Sequence, residues 1–198
     1  MDILLQTERM VLRRFTENDA PYLYELDNDP EVMRYINGGV PTSLETIQKQ
    51  ILPTFLHADK QRPWSGFWAA VAKTSGEFLG WFCLRAAEDD PQTAILGYRF
   101  RQATWGQGYA TEGAQALVDH GFGRWGVQRI VATTYQDNLA SQRVMEKVGM
   151  SLIRRFRITA EELEHIDTYN ADSLELWDGD DVEYALTKTA WEQQNKGA

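Results

Sequence analysis

Trp105-Gly106-Gln107-Gly108-Tyr109-Ala110-Thr111-Glu112 is the stretch on which the reading of this chain turns. A strand-like run, residues 94–101, precedes it and closes with Gly97-Tyr98-Arg99-Phe100-Arg101. After it, apolar residues recur at Ala110, Ala114, Leu117, Val118 and Phe122, one stripe at helical spacing. The order is therefore strand, glycine-rich turn, helix start. The first turn of a helix carries backbone N–H groups without partners, and the helix dipole places partial positive charge there. Glycines allow close backbone approach to a bulky anion, so the segment predicts a cradle for phosphate or pyrophosphate.

Three such cradles differ in their residues. A Walker-type loop needs Gly-Lys-Ser/Thr at the helix start, and Tyr109 and Ala110 stand there instead. A dinucleotide fingerprint needs a third glycine, and that position is Thr111. The third pattern, Gln/Arg-x-x-Gly-x-Gly/Ala, is the pyrophosphate loop of the GNAT acetyltransferases. It fits at Gly108 and Ala110 and misses at its first position, Trp105. Trp-Gly-x-Gly-Tyr-Ala-Thr-Glu resembles the form found in the RimJ/RimL-like (ribosomal-protein N-terminal acetyltransferase-like) branch. The alternative for these eight residues alone is an ordinary strand-to-helix turn that holds two glycines.

Composition narrows the class. At 198 residues, the chain is expected to be a single domain, 1–198, long enough to bury a sizeable core. No apolar run reaches bilayer length, and the N-terminal residues lack the pattern of a signal peptide, so no membrane association is expected. Cys83 is the only cysteine, which excludes an internal disulfide framework and points to a reducing, cytoplasmic setting. It lies in Trp81-Phe82-Cys83-Leu84 and reads as a buried inert thiol. His57, His120 and His165 have no ligand spacing, so no metal site is proposed. The net charge of −9 argues against nucleic-acid binding. Of the 29 acidic residues, nine fall in an acidic segment at 160–181: Glu161, Glu162, Glu164, Asp167, Asp172, Glu175, Asp178, Asp180 and Asp181. The rest of the chain balances, 20 acidic against 20 basic residues.

Along the chain, Met10-Val11-Leu12 is strand-like, and Thr16 with Asp19 predicts a capped helix to about Asp27. Asp29-Pro30 starts a second short helix, and Thr42 with Glu45 a third, with a kink or end at Pro53. Residues 67–72 and 78–85 form a hairpin, and 93–101 is the strand entering the glycine loop. A strand at 129–135 is followed by a helix at 138–148 that Gly149 stops. Strands at 150–158 and 182–186 flank the acidic segment, and a terminal helix holds Trp191. Strands and helices are mixed without strict alternation, so the class is α+β, or α/β with a mixed sheet.

The resemblance to RimJ/RimL-like GNAT proteins extends to three separated segments. They are Thr7-Glu8-Arg9-Met10-Val11-Leu12-Arg13 with Phe15-Thr16 and Asp29-Pro30-Glu31-Val32-Met33; Gly97-Tyr98 with the glycine loop; and Asn138-Leu139-Ala140-Ser141 with Glu146-Lys147-Val148-Gly149-Met150. They stand in the family's order and spacing, and the resemblance covers roughly residues 7–155 plus the final strand. The resemblance implies the GNAT fold, a splayed, mostly antiparallel mixed sheet flanked by helices, with acetyl-CoA between strands 93–101 and 129–135. It implies an N-acetyltransferase in which a primary amine, on a protein N-terminus or a small molecule, attacks the thioester directly in a ternary complex. A non-catalytic acyl-CoA sensor module of the same fold is the alternative. A monomer or homodimer is expected.

On this resemblance Trp105, Gly106, Gln107, Gly108, Tyr109, Ala110 and Thr111 meet the pyrophosphate, and the strand edge near Phe100 meets the pantetheine amides. Asn138 fixes the arm from the other side, or caps its helix, or both. Ser141 faces the departing thiolate as a hydrogen-bond donor, or packs as a small helix residue. A backbone N–H near Tyr98–Phe100 holds the oxyanion. Two departures stand out. Met145 occupies the place of the tyrosine that serves many GNAT enzymes as acid, and Ile95 the place of a glutamate that often precedes Gly-Tyr. The segment 160–181 is also longer than the family's usual connection.

Overall fold

Among the described residues, eight strands rich in aromatic and aliphatic residues build one sheet. The computed structural model describes residues 2–57, 59, 61–87, 89–157 and 179–196. The strands are β1 (Ile3–Gln6), β2 (Met10–Arg14), β3 (Gly66–Ala72), β4 (Phe78–Ala86), β5 (Thr93–Phe100), β6 (Arg129–Tyr135), β7 (Ser151–Phe156) and β8 (Asp181–Thr187). They lie in the order β1-β2-β3-β4-β5-β6-β8-β7, antiparallel throughout except for the parallel pair β5–β6. The strand-like stretch at the start of the chain is thus a hairpin, turned where Thr7 donates its N–H to the Met10 carbonyl at 2.9 Å. That turn contains neither glycine nor proline, which is why the sequence does not announce it.

Alternation along each strand divides the interior into two cores. On β4, Leu79, Phe82 and Leu84 face one side, and Phe78, Trp81 and Cys83 the other. The first core is covered by α5 (Tyr109–Gly123) through Ala114, Leu117, Val118 and Phe122, and by Met145 of α6 (Leu139–Lys147). Trp191 of the C-terminal helix α7 (Lys188–Asn195) packs against it, its indole donating to Asp119 at 2.8 Å. The second core lies under α1 (Ala20–Asp27), α2 (Pro30–Asn37) and the segment from α3 (Leu44–Thr46) to α4 (Leu52–Leu56). Its centre is aromatic: Phe55 stacks on Phe67 at 4.0 Å and meets the Trp81 edge at 5.4 Å. Cys83 is buried there, and desolvation pushes its thiol up, as an inert core thiol requires.

Helix starts differ from the sequence reading in detail. Thr16 and Asp19 do form a capping box, but the first turn is 3-10 and α1 begins at Ala20. The third helix is capped by Ser43, whose hydroxyl accepts from the Thr46 N–H at 3.0 Å, so the Thr42–Glu45 box does not form. Pro53 neither ends nor sharply breaks the helix. A π turn, Ile47–Ile51, precedes it, with Leu52 donating back to Ile47, and this wider turn makes room for a residue that has no N–H to give. Of the acidic segment, residues 160–178 lie outside the described residues; Asp180 and Asp181 lie within them, the latter as the first residue of β8.

α5 can approach β4 because residue 113 is glycine. A Cβ there would stand 2.3 Å from Cζ of Phe82, a fully buried ring. Gly113→Val should therefore lower stability by about 1–3 kcal/mol through overpacking, read as a fall in the urea midpoint. An unchanged midpoint would mean that α5 does not bear on Phe82 in this way.

Candidate active site

The site begins where β5 and β6 part. Their parallel ladder covers only Thr93–Arg129, Ala94–Ile130 and Ile95–Val131. β5 nevertheless runs on to Phe100, paired on its far edge with β4, and β6 runs on to Tyr135, paired on its far edge with β8. A wedge opens between them over four to five residues, roughly 13–16 Å long at the usual rise of a strand. Arg101 donates its N–H toward β4, to Leu79 at 3.0 Å. By alternation the backbone groups of Tyr98 and Phe100 point the other way, into the wedge. The Phe100 carbonyl is taken there by the Trp105 indole at 2.8 Å, which ties the loop to the strand it leaves.

At the end of the wedge stands the N-terminus of α5. Gly106 and Gly108 take φ values of +72° and +82°, the left-handed region where side chains are strained. Gly108 is the N-cap, and no side chain caps the helix. The first helical bond runs from the Glu112 N–H to the Gly108 carbonyl at 3.0 Å, so the amides ahead of it stay available. Gln107, Gly108 and Trp105 are exposed, and Tyr109, Ala110 and Thr111 are half-buried. Free amides, positive dipole and absent side chains suit a pyrophosphate.

The loop is held by a residue from near the start of the chain. Arg9 donates its backbone N–H to Glu112 at 2.8 Å, its Nε to the same carboxylate at 2.5 Å, and an Nη to the Gln107 carbonyl at 2.9 Å. Its guanidinium also lies 4.3 Å from the centre of the Tyr109 ring. Desolvation acts to raise the Glu112 carboxyl, but hydrogen bonds from Thr7 and Arg9 outweigh it, leaving the group below the usual carboxylate range. The Arg9 side chain is 41% exposed, so this ion pair is worth at most about 1 kcal/mol of stability. Its effect is to fix the loop. Both residues were visible in the sequence motifs, but nothing in the sequence pairs positions so far apart.

Across the wedge, α6 brings up the other predicted residues. Asn138 caps it, accepting from the Ser141 N–H at 3.2 Å, while its amide nitrogen donates to Thr134 at 3.1 Å. Ser141 is half-buried and touches Tyr98: the two hydroxyls are 3.0 Å apart, and the phenol is also 3.0 Å from the Ser141 carbonyl. Burial pushes the Tyr98 phenol well up, more than its bond to Ser141 brings it down, so it stays protonated in the working pH range. Met145 is 2% exposed and belongs to the core. Tyr98 and Ser141 are thus brought together, whereas Phe100 offers only its backbone, its ring being buried.

A model of the acetyltransferase (GNAT) domain matches residues 9–151. The chain belongs to the GNAT acetyltransferase family, and it is an acetyltransferase enzyme. It is 28% identical over 200 residues to FsC-acetyl coenzyme A-N(2)-transacetylase of Aspergillus fumigatus, covering 97% of this chain and 79% of that one. It is 33% identical over 155 residues to YkkB of Bacillus subtilis, covering 77% and 88%. Among solved structures, a GNAT acetyltransferase from Bacillus anthracis superposes with a TM-score of 0.75 at 25% identity, over 96% of this chain and 99% of that one. RimL, a ribosomal alpha-N-protein acetyltransferase in complex with coenzyme A, superposes at 0.72 and 23% identity, over 94% and 98%.

Removing the clamp should act on binding more than on folding. Arg9→Ala is expected to weaken acetyl-CoA about tenfold, ~1.4 kcal/mol by calorimetry, while unfolding stability changes by less than about 1 kcal/mol. The clamp also has a pH signature. Because the folded Glu112 carboxyl is held below its ordinary value of 4.5, its contribution is complete above that pH and is lost as pH falls through the lower folded value. Glu112→Gln should shrink this acid-side loss of stability; an unchanged acid limb would show that other carboxylates carry it.

Proposed function

We propose that the protein transfers the acetyl group of acetyl-CoA to a primary amine by direct attack, in the manner of the RimJ/RimL-like branch, in the cytoplasm. The observation that carries this reading is the wedge beyond Ile95 and Val131, which ends at the free amides of α5 and has Tyr98 and Ser141 along its side. The backbone from Gly106 to Thr111 would receive the pyrophosphate, with the Trp105 ring at its edge. The backbone edge at Tyr98 and the Phe100 N–H would pair with the pantetheine amides, and an N–H of that edge would hold the oxyanion. Asn138 would face the arm from α6 with the amide hydrogen that Thr134 does not use.

Acetyl-CoA supplies an activated acetyl thioester. A neutral amine forms the new N–C bond, the C–S bond breaks, and the amine's proton passes to water or a carboxylate. Tyr98 has a single phenolic proton. When it is donated to the Ser141 hydroxyl, the proton of Ser141 is free to turn into the wedge toward the developing thiolate, which Ser141 or water then protonates. A hydrogen bond of this kind substitutes in part for the acid that Met145 cannot provide. The acceptor is a protein N-terminus or a small molecule. RimL is described as acting on a ribosomal protein, whereas the fold neighbour AAC(6')-Ib is described as an aminoglycoside acetyltransferase.

Steady-state thiol release with a panel of small amines and a basic peptide tests the reaction and ranks these acceptors. Gly108→Glu should abolish acetyl-CoA binding in a folded protein; unchanged affinity removes the cofactor assignment. Ser141→Ala should lower kcat about 10- to 100-fold, the lower end of what a positioned proton donor contributes, with little change in acetyl-CoA affinity. Tyr98→Phe should lower kcat in the same direction. Full activity of both variants across pH would leave thiolate protonation to water alone.

A further inference from the structure

The open end of the wedge, on the face of the sheet opposite α5, carries a carboxylate that the proposed chemistry does not use. On β8, Val182, Tyr184 and Leu186 enter the core beneath α5, so alternation turns Asp181 and Glu183 to the opposite face, the side of α1 and α2. Asp181 lies directly across the ladder from Tyr135, at the open end of the wedge. Tyr135 in turn stacks on Tyr35 of α2, rings 5.9 Å apart and 25° from parallel, which closes that end with an aromatic wall.

The neighbouring carboxylates are already matched. Glu183 meets Arg154 at 2.6 Å and Arg129 at 3.6 Å, Asp27 meets Arg99 at 2.5 Å, and Asp180 meets Arg157 at 3.5 Å. Among the described residues Asp181 has no cationic partner, although it is half-buried. Burial, and then the charge of Asp180, push its carboxyl up. An incoming cation would relieve that strain, and the faces of adjacent tyrosines favour a cation as well.

Position decides which cation. β6 separates β8 from β5, so Asp181 is two strand spacings, roughly 10 Å, or more from the β5 edge where the amine would react. A base must lie within about 3 Å of the proton it removes, so Asp181 is not the base for that amine. We propose that Asp181, beside the Tyr35–Tyr135 stack, is a specificity-determining contact for a second cationic group of the acceptor. The preferred substrate is then a primary amine that bears another positive charge several bonds away. This rests on the acetyltransfer reading for the location of the reacting amine.

Binding and turnover separate the two readings. Titration calorimetry on the protein saturated with coenzyme A would compare 1,5-diaminopentane with n-pentylamine. The wild type should prefer the diamine at least tenfold. Asp181→Asn, nearly isosteric, should reduce that ratio to about one with coenzyme A affinity unchanged, and Asp181→Glu should retain most of it. Asp180→Asn should leave the ratio in place. No preference in the wild type, or the same preference in Asp181→Asn, overturns the proposal. Thiol release with the same amines is read separately: failure of turnover removes the acetyltransfer reading, while the binding ratio alone decides the role of Asp181.

Discussion

Backbone N–H and C=O groups that lose water must find other partners, and the parting of β5 from β6 after Ile95 and Val131 leaves two strand edges that do not meet this requirement with each other. Each strand keeps its outer ladder, β5 with β4 as far as Phe100 and β6 with β8 as far as Tyr135. Neither is left floppy, yet beyond Ile95 and Val131 the inner edges do not pair with each other. A ligand arm that carries amides can complete them as a third strand would. The same parting exposes the first turn of α5, so an arm for the edge and a cradle for an anion lie in line.

Holding the wedge open needs support from beneath. The splayed half of β5 is tied to α1 through the buried pair Arg99–Asp27 and through Arg101, which meets Glu25 and Glu77. A buried ion pair is weak as a source of net stability, because desolvating two charges offsets most of their attraction. It is strict about geometry, and geometry is what a strand with one free edge lacks. Arg9 plays the corresponding part for the glycine loop, joining the first hairpin to both sides of the turn through Gln107 and Glu112.

The chemistry of the site leans on arrangement. Burial keeps Tyr98 protonated, its hydroxyl meets that of Ser141, and Met145 on the same helix is buried in the core. Positioning two reactants can contribute more than a single acid or base, so a site of this kind is slowed by the loss of one donor and remains an enzyme. The open end of the wedge differs in character. There two tyrosines stack beside a carboxylate that has no cationic partner among the described residues.

Local signals were enough for much of this. Glycines at 106 and 108, the apolar stripe from Ala110 to Phe122 and the asparagine before α6 announce strand, cradle and helix, because each depends on neighbours within one or two turns. The hairpin at Thr7, the Ser43 cap and the π turn before Pro53 were less legible, since near-equivalent local choices are settled by how the segment packs. Strand order, the length of the β5–β6 ladder, the grip of Arg9 on Glu112 and the meeting of Tyr35 with Tyr135 were not legible at all. These join residues far apart in the chain, and a single sequence holds no term for such distances. The sequence by itself determined the elements and the glycine turn before α5; the tertiary structure alone decided which strand edge is left open, what braces it and which carboxylate is left without a cationic partner among the described residues, because those depend on which long-range partners are used up elsewhere.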